Sequence, residues 1–65
     1  MNYQAEIKKL FPNSWCEWTG LEYEVWIEYS HEAFEVMGGG NTEEAAWQDA
    51  WPEVQRWSLA VPGEL

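Results

Sequence analysis

The sequence predicts a small α+β domain in which a helix, three antiparallel strands and a second helix follow one another along the chain. The centre of the chain alternates apolar and polar residues with the two-residue period of a half-buried strand, and helical periodicity marks both ends. The chain has 65 residues, so we expect a single domain over 1–65. Helices on one face of such a sheet would leave its other face open to water.

The amino-acid composition provides enough apolar residues for a hydrophobic core, although the chain is small. The chain is 46% hydrophobic and contains six Trp, and each buried aromatic residue removes roughly 150–250 Å² from water. No apolar run approaches the ~20 residues that a membrane span needs, and the N-terminus lacks the basic and apolar regions of a signal peptide. The single cysteine, Cys16, has no internal disulfide partner. These features predict a folded protein of the reducing cytoplasm.

The first helix is expected over residues 3–10. Asn2 precedes it and is a residue type that caps helix N-termini, while Pro12 follows it and would end it. The apolar face of this helix comprises Tyr3, Ile7 and Leu10.

Three strands are expected over residues 14–18, 21–29 and 33–37. Tight hairpins with Thr19-Gly20 and His31-Glu32 as their loops would join them. The three glycines at 38–40 are expected to form a hinge between the last strand and the second helix.

The second helix is expected to start at Asn41, with Asn41 as N-cap and Glu44 as the reciprocal carboxylate. Its apolar stripe comprises Ala46, Trp47, Ala50, Trp51, Val54 and Trp57. The stripe continues in phase past Pro52, which predicts one helix kinked there with the proline on its solvent side. A break at Pro52 is the alternative. The three tryptophans of the stripe are predicted to be buried between this helix and the sheet.

The hairpin registers divide the strand residues between two faces, because side chains alternate along a strand. The face toward the helices is predicted to hold Cys16, Trp18, Leu21, Tyr23, Val25, Ile27, Tyr29, Phe34 and Val36. The other face, the predicted acidic face, would hold Trp15, Glu17, Glu22, Glu24, Trp26, Glu28, Glu35 and Met37.

The predicted acidic face breaks a rule of sheet stability. It places Glu17 opposite Glu22 and Glu28 opposite Glu35, and like charges directly across a ladder are destabilising. The whole chain has twelve acidic and three basic residues, a formal charge of −9, and none of the basic residues falls on this face. Sequences often break such rules at functional sites. Direct binding to nucleic acid is disfavoured, because phosphate contacts need Lys and Arg.

No catalytic or metal-binding set is found in the sequence. His31 is the only histidine and lies in a predicted turn, and Cys16 is predicted to point inward, where a thiol is usually inert. The metal-ligand spacings of zinc and calcium sites are absent. We therefore expect no enzymatic activity, no cofactor and no bound metal.

Three features of the chain are a small helix–sheet–helix layout, a spread of carboxylates and the run Gly38-Gly39-Gly40-Asn41-Thr42-Glu43-Glu44-Ala45-Ala46-Trp47-Gln48-Asp49-Ala50. In these features the chain resembles small phage and prophage proteins that oppose host defences. Several anti-CRISPR and anti-restriction inhibitors of this kind mimic DNA. The resemblance implies an inhibitor of a bacterial defence complex, with a CRISPR effector as the expected target, at its PAM or target-duplex groove. A monomer is expected, because like charges oppose a homodimer through the predicted acidic face. The residues expected to contact that groove are Glu17, Glu22, Glu24, Glu28, Glu32, Glu35, Trp15 and Trp26.

A second interpretation is a small interaction module or regulator that binds a protein partner through an apolar patch. In that case Trp15, Trp26 and Met37 would dominate the contact, and the negative charge would serve solubility. Salt would separate the two interpretations, because only a charge-driven contact weakens steeply as ionic strength rises.

Overall fold

The computed structural model describes residues 1–60 and confirms the predicted α+β architecture. Its elements are α1 (Tyr3–Leu10), β1 (Ser14–Trp18), β2 (Tyr23–Ser30), β3 (Ala33–Gly40) and α2 (Glu43–Ala60). The strands form one antiparallel sheet in the order β1-β2-β3. Because β2 is central, its side chains have neighbours on both sides.

Helix α1 begins and ends where the sequence predicts. The side-chain oxygen of Asn2 accepts the backbone N–H of Ala5 at 3.1 Å, so Asn2 is the N-cap. At the other end, the N–H of Phe11 donates to the carbonyl of Ile7 at 2.8 Å. Ile7 is fully buried, whereas Leu10 is exposed, so only part of the predicted apolar face contributes to the core.

Helix α2 is capped one residue later than predicted. Its N-cap is Thr42 and not Asn41: the Thr42 hydroxyl accepts the N–H of Ala45 at 3.1 Å, and its carbonyl accepts the N–H of Ala46 at 3.0 Å. The helix then continues without a break through Pro52, which is exposed. The prediction of one helix is therefore confirmed, and the alternative of a break is wrong.

The core lies between α2 and the sheet, with α1 packed along α2. The buried apolar residues are Ile7, Phe11, Val25, Ile27, Met37, Ala46, Trp47, Ala50 and Val54. Of the three predicted core tryptophans, Trp47 is buried, while Trp51 and Trp57 are half-buried. Trp51 packs against Tyr3 of α1, with ring centroids 6.5 Å apart, and Trp57 packs against Tyr29 of the sheet at 4.7 Å.

The three glycines at 38–40 belong to β3, so the predicted hinge is wrong. They lie where α2 crosses the sheet at close range: a Cβ atom on Gly40 would come within 2.8 Å of the Ala45 Cβ. Gly38 and Gly40 therefore provide room for the helix, whereas a Cβ on Gly39 would meet the Glu22 side chain on the other face.

The β1–β2 hairpin has a longer loop than predicted. Trp18 pairs with Tyr23, and Thr19 closes the loop by donating its N–H to the Glu22 carbonyl at 2.9 Å. The two extra loop residues shift the register by two, so each side chain keeps its predicted face. The predicted pairing of Glu17 with Glu22 is wrong, because Glu17 lies opposite Glu24. Leu21 is also misassigned to the core, since it lies in the loop and is 89% exposed.

The β2–β3 hairpin contains two register irregularities, and the stretch between them is shifted by one residue from the prediction. The pairs in this stretch are Trp26 with Val36, Ile27 with Glu35, and Glu28 with Phe34. A shift of one residue moves side chains to the other face. Phe34 and Val36 therefore lie on the face of Trp26, Glu35 lies on the side of Ile27, and Met37 is buried in the core. The predicted faces of these four residues, and the pairing of Glu28 with Glu35, are wrong.

Candidate functional site

The sheet face turned away from α2 is the candidate site, and we call it the open face. Its strand residues are Trp15, Glu17, Glu24, Trp26, Glu28, Phe34 and Val36. Directly opposed residues share a face, so the pairing of Trp15 with Trp26 and of Glu17 with Glu24 fixes their common side.

Four apolar residues form the aromatic centre of the open face: Trp15, Trp26, Phe34 and Val36. The indole rings of Trp15 and Trp26 are stacked, with centroids 6.3 Å apart and an interplanar angle of 7°. The ring of Phe34 meets Trp15 edge-on at 5.6 Å. Phe34 is 47% and Val36 40% exposed, so this apolar surface is open to a partner.

Three carboxylates lie at the end of the open face near the β1–β2 loop. Glu17 and Glu24 are directly opposed across the two strands. The indole N–H of Trp15 donates to Glu17 Oε1 at 3.1 Å, which ties this carboxylate to the aromatic centre. Glu22 extends from the loop over Gly39, where a Cβ would lie 2.9 Å from Glu22 Oε2. Glycine at 39 therefore leaves space for a carboxylate beside Glu24, its cross-strand neighbour.

The opposite end of the open face has a different chemistry, because Glu28 is occupied by hydrogen bonds within the chain. Its Oε1 accepts from Asn13 Nδ2 at 3.2 Å, and its Oε2 accepts the backbone N–H of Glu32 at 3.0 Å. Glu32 sits in the left-handed region at φ 59°, at the tip of the β2–β3 hairpin beside the exposed His31. Glu28 thus holds the turn in place.

The basic residues lie on the helices and do not neutralise the open face. Lys9 pairs with Glu6 at 3.3 Å, and Arg56 pairs with Glu53. Lys8 donates to the Ser14 carbonyl and its ammonium lies 5.7 Å from the Trp47 ring centroid. Within residues 1–60, the carboxylates of the open face therefore have no Lys or Arg partner.

The structure brings together most of the predicted contact residues. Trp15, Glu17, Glu24, Trp26 and Glu28 share the open face, and Glu22 extends over it from a loop. Glu32 lies at the hairpin tip, whereas Glu35 is an exposed residue on the other side of the sheet. The aromatic centre divides the carboxylates of the open face into two groups.

Phe34 and Val36 are the open-face residues that the sequence analysis missed. Their exposure depends on the register irregularities of β3, and no local sequence signal marks these. Both residues lie in an alternating stretch that fits either face equally well.

Cys16 lies on the core side of β1 and is half-buried. Burial raises the pKa of its thiol, and the carboxylates of Glu43 and Glu17 raise it further. The thiolate is the reactive form of cysteine, so this environment makes Cys16 a weak nucleophile. In the described part of the chain, no group of three or more His, Cys, Asp and Glu residues is arranged to hold a metal ion.

A cavity of about 430 Å³ lies between the starts of the two helices. Its lining residues are Met1, Asn2, Tyr3, Gln4, Glu43, Glu44 and Trp47. This lining includes two carboxylates but no histidine, cysteine or basic side chain.

Neither α1 nor α2 has the length and apolar character required to cross a membrane, and no other helix is present among residues 1–60. Comparison with protein-family models, with curated proteins and with solved structures gave no match to this chain.

Proposed function

We propose that this protein is a binding inhibitor that docks its open face on a basic, nucleic-acid-binding surface of a bacterial defence complex and excludes DNA from that surface. The observation that carries this proposal is the set of carboxylates around the aromatic centre, which have no basic partner within residues 1–60. The action is steric and competitive, and it involves no catalytic step and no cofactor.

Electrostatics favour a cationic partner for the open face. The directly opposed Glu17 and Glu24 repel each other in the free protein, at a cost on the scale of ~0.2–1 kcal/mol for a cross-strand pair. A Lys- or Arg-rich surface would relieve this repulsion on binding. The net charge of −9 would also speed the encounter with such a surface.

The aromatic centre gives the interface an anchor that charge alone lacks. Tight protein interfaces combine an apolar centre with a polar rim, and Trp is enriched among the residues that contribute most to binding. The open face has this arrangement, with Trp15, Trp26 and Phe34 at the centre and carboxylates at both ends. This pattern supports binding to a protein, with part of the surface replacing DNA phosphates.

The class of target comes from the resemblance to small phage-encoded inhibitors. A CRISPR effector, at the groove that reads the PAM duplex or holds target DNA, is the target we propose first. The protein would then act as a monomer in the cytoplasm of the host bacterium. Glu17, Glu22 and Glu24 are the proposed phosphate substitutes, with Glu32 as a further contact at the hairpin tip.

The test is displacement of target DNA from a purified effector–guide complex at low and at moderate salt. Wild-type protein should displace DNA at low salt and lose affinity steeply as salt rises. The variant Glu17→Gln/Glu24→Gln should bind more weakly at low salt. The control variant Glu35→Gln/Glu44→Gln removes the same charge away from the open face and should lose much less affinity. Equal binding by wild type and the Glu17→Gln/Glu24→Gln variant at low salt would contradict the proposal.

The alternative function, an interaction module that binds through apolar contact, is favoured by one specific observation. Phe34 and Val36 are exposed beside the tryptophans, although Met37, which the sequence predicts in this patch, is buried. A Phe34→Ser variant distinguishes the two functions. Binding that is abolished by Phe34→Ser, but is unaffected by salt and by Glu17→Gln/Glu24→Gln, would make the apolar module the function of this chain.

A further inference from the structure

We propose that the open face selects arginine over lysine in its partner, and that four residues, Trp15, Trp26, Glu17 and Glu24, form the selecting site. We call these residues the Trp–Glu quartet. The inference rests on the proposed function, because it specifies the chemistry of the basic surface to which the open face binds.

The quartet is a two-by-two array on neighbouring strands. Trp15 lies opposite Trp26, and Glu17 lies opposite Glu24. Along each strand the tryptophan and the glutamate are two residues apart, so the indole row and the carboxylate row are separated by roughly 6.6–6.8 Å at the backbone. One side chain from a partner can therefore reach both rows.

The indole row favours a planar cation. The two rings are nearly parallel, with an interplanar angle of 7° and centroids 6.3 Å apart. Guanidinium groups stack on indole surfaces and take part in cation–π contacts more often than ammonium groups. A lysine ammonium is a compact, strongly hydrated charge and gains less from such a surface.

The carboxylate row adds a second preference for arginine. The indole N–H of Trp15 holds Glu17 through its Oε1, which leaves Oε2 to accept from a partner. Glu24 is the cross-strand partner of Glu17, so the two carboxylates lie on the same face of neighbouring strands. A guanidinium has five donors in a planar fork and can bond to carboxylates while it stacks.

The opposite end of the open face lacks this arrangement. Both oxygens of Glu28 accept hydrogen bonds from within the chain, one from Asn13 and one from Glu32. Its cross-strand neighbour is Phe34 and not a second carboxylate. Arginine selection is therefore assigned to the quartet, and Glu28 is a positioning residue for the hairpin tip.

The test uses two peptides of equal length and charge, one with four Gly-Arg repeats and one with four Gly-Lys repeats. Calorimetric titration should show about fivefold tighter binding of the arginine peptide, on the scale of a cation–π contact. In NMR spectra, the indole N–H signals of Trp15 and Trp26 should shift most. The Glu17→Gln/Glu24→Gln variant should lose affinity and part of the preference, because the indole row remains, whereas Glu35→Gln/Glu44→Gln should keep the whole preference.

Equal affinity for the two peptides would overturn the inference, as would an arginine preference that is as large in the Glu17→Gln/Glu24→Gln variant as in wild type. These results are separate from the DNA-displacement test. If the protein displaces DNA but does not prefer arginine, the inference fails and the proposed function stands. If the protein prefers arginine but displaces no DNA from any defence complex, the proposed function fails while the quartet remains an arginine site.

Discussion

Gly38 of β3 lies directly against the backbone of Ala50 in α2. A Cβ atom placed on Gly38 would be 2.6 Å from the Ala50 nitrogen and 2.7 Å from its Cα. Those atoms belong to the backbone in the middle of a helix, so they cannot move aside as a flexible side chain could. The missing side chain at Gly38 therefore sets how closely α2 approaches the sheet, and with it the packing of the core residues on both elements.

Substitution of Gly38 by alanine should destabilise the fold by about 1–3 kcal/mol, the range for overpacking of a close contact. Gly39→Ala is a matched control in the same strand, because the three atoms nearest to its Cβ would all belong to the carboxylate of Glu22, which can rotate away. Urea denaturation of both variants measures the two effects. Similar losses in the free energy of unfolding for Gly38→Ala and Gly39→Ala would show that helix–sheet spacing is not controlled at Gly38.

Trp47 should be the most important tryptophan of α2 for stability. It is 4% exposed, and truncation of a buried Trp to Ala costs about 3–5 kcal/mol. Trp51 is half-buried against Tyr3, so its truncation to Ala should reduce the free energy of unfolding by clearly less. Thermal melting of Trp47→Ala and Trp51→Ala compares the two losses of stability. A larger loss in Trp51→Ala than in Trp47→Ala would contradict the prediction. A loss of this size can unfold so small a domain, so absence of cooperative melting in Trp47→Ala also agrees with the prediction.

Removal of one charge from the opposed pair Glu17 and Glu24 should stabilise the free protein. Glu24→Gln keeps the size of the side chain and ends the cross-strand repulsion, so the free energy of unfolding should rise by ~0.2–1 kcal/mol at low salt. The gain should shrink as salt screens the repulsion. Denaturation at two salt concentrations measures it, and a loss of stability at low salt would show that Glu24 has a stabilising partner.

Substitution of Glu28 should lower the free energy of unfolding, the opposite effect to substitution of Glu24, although both residues lie on the same strand and the same face. Its carboxylate accepts hydrogen bonds from Asn13 and from the backbone of Glu32. Glu28→Ala removes both, so the free energy of unfolding should fall by about 1 kcal/mol. Faster amide exchange at Glu32 in this variant would show that the carboxylate holds the turn, and unchanged exchange would refute that role.

Cys16 should make stability fall at alkaline pH. Burial and two carboxylates raise the pKa of its thiol in the folded protein, so the folded state binds the proton more tightly than the unfolded state. The stability that the protonated thiol contributes is complete below the unfolded pKa of about 8.5 and is lost as the pH rises through the raised pKa of the folded protein. Wild type should therefore lose more stability than Cys16→Ala between about pH 8 and pH 10. Parallel pH profiles for the two proteins would contradict this prediction.

Local patterns in the sequence determine the order and type of the elements. The cap at Asn2, the alternation in β2 and the apolar stripe of α2 each follow from contacts within a few residues, so the fold class and the continuous helix through Pro52 could be predicted. The sequence could also predict that five residues share one face of the sheet, because the longer β1–β2 loop shifts the strand register by two residues and so preserves the faces. These residues are Trp15, Glu17, Glu24, Trp26 and Glu28.

Only the tertiary structure decides what lies on the two faces of β3. The register irregularities between β2 and β3 move Phe34 and Val36 outward and bury Met37, and the close approach of α2 to the glycines limits how the end of β3 can lie. These features depend on contacts between residues far apart in the chain. A local alternation of apolar and polar residues reports the period of a strand but not which face will be covered, so the aromatic centre of the open face appears only once α2 is packed on the sheet.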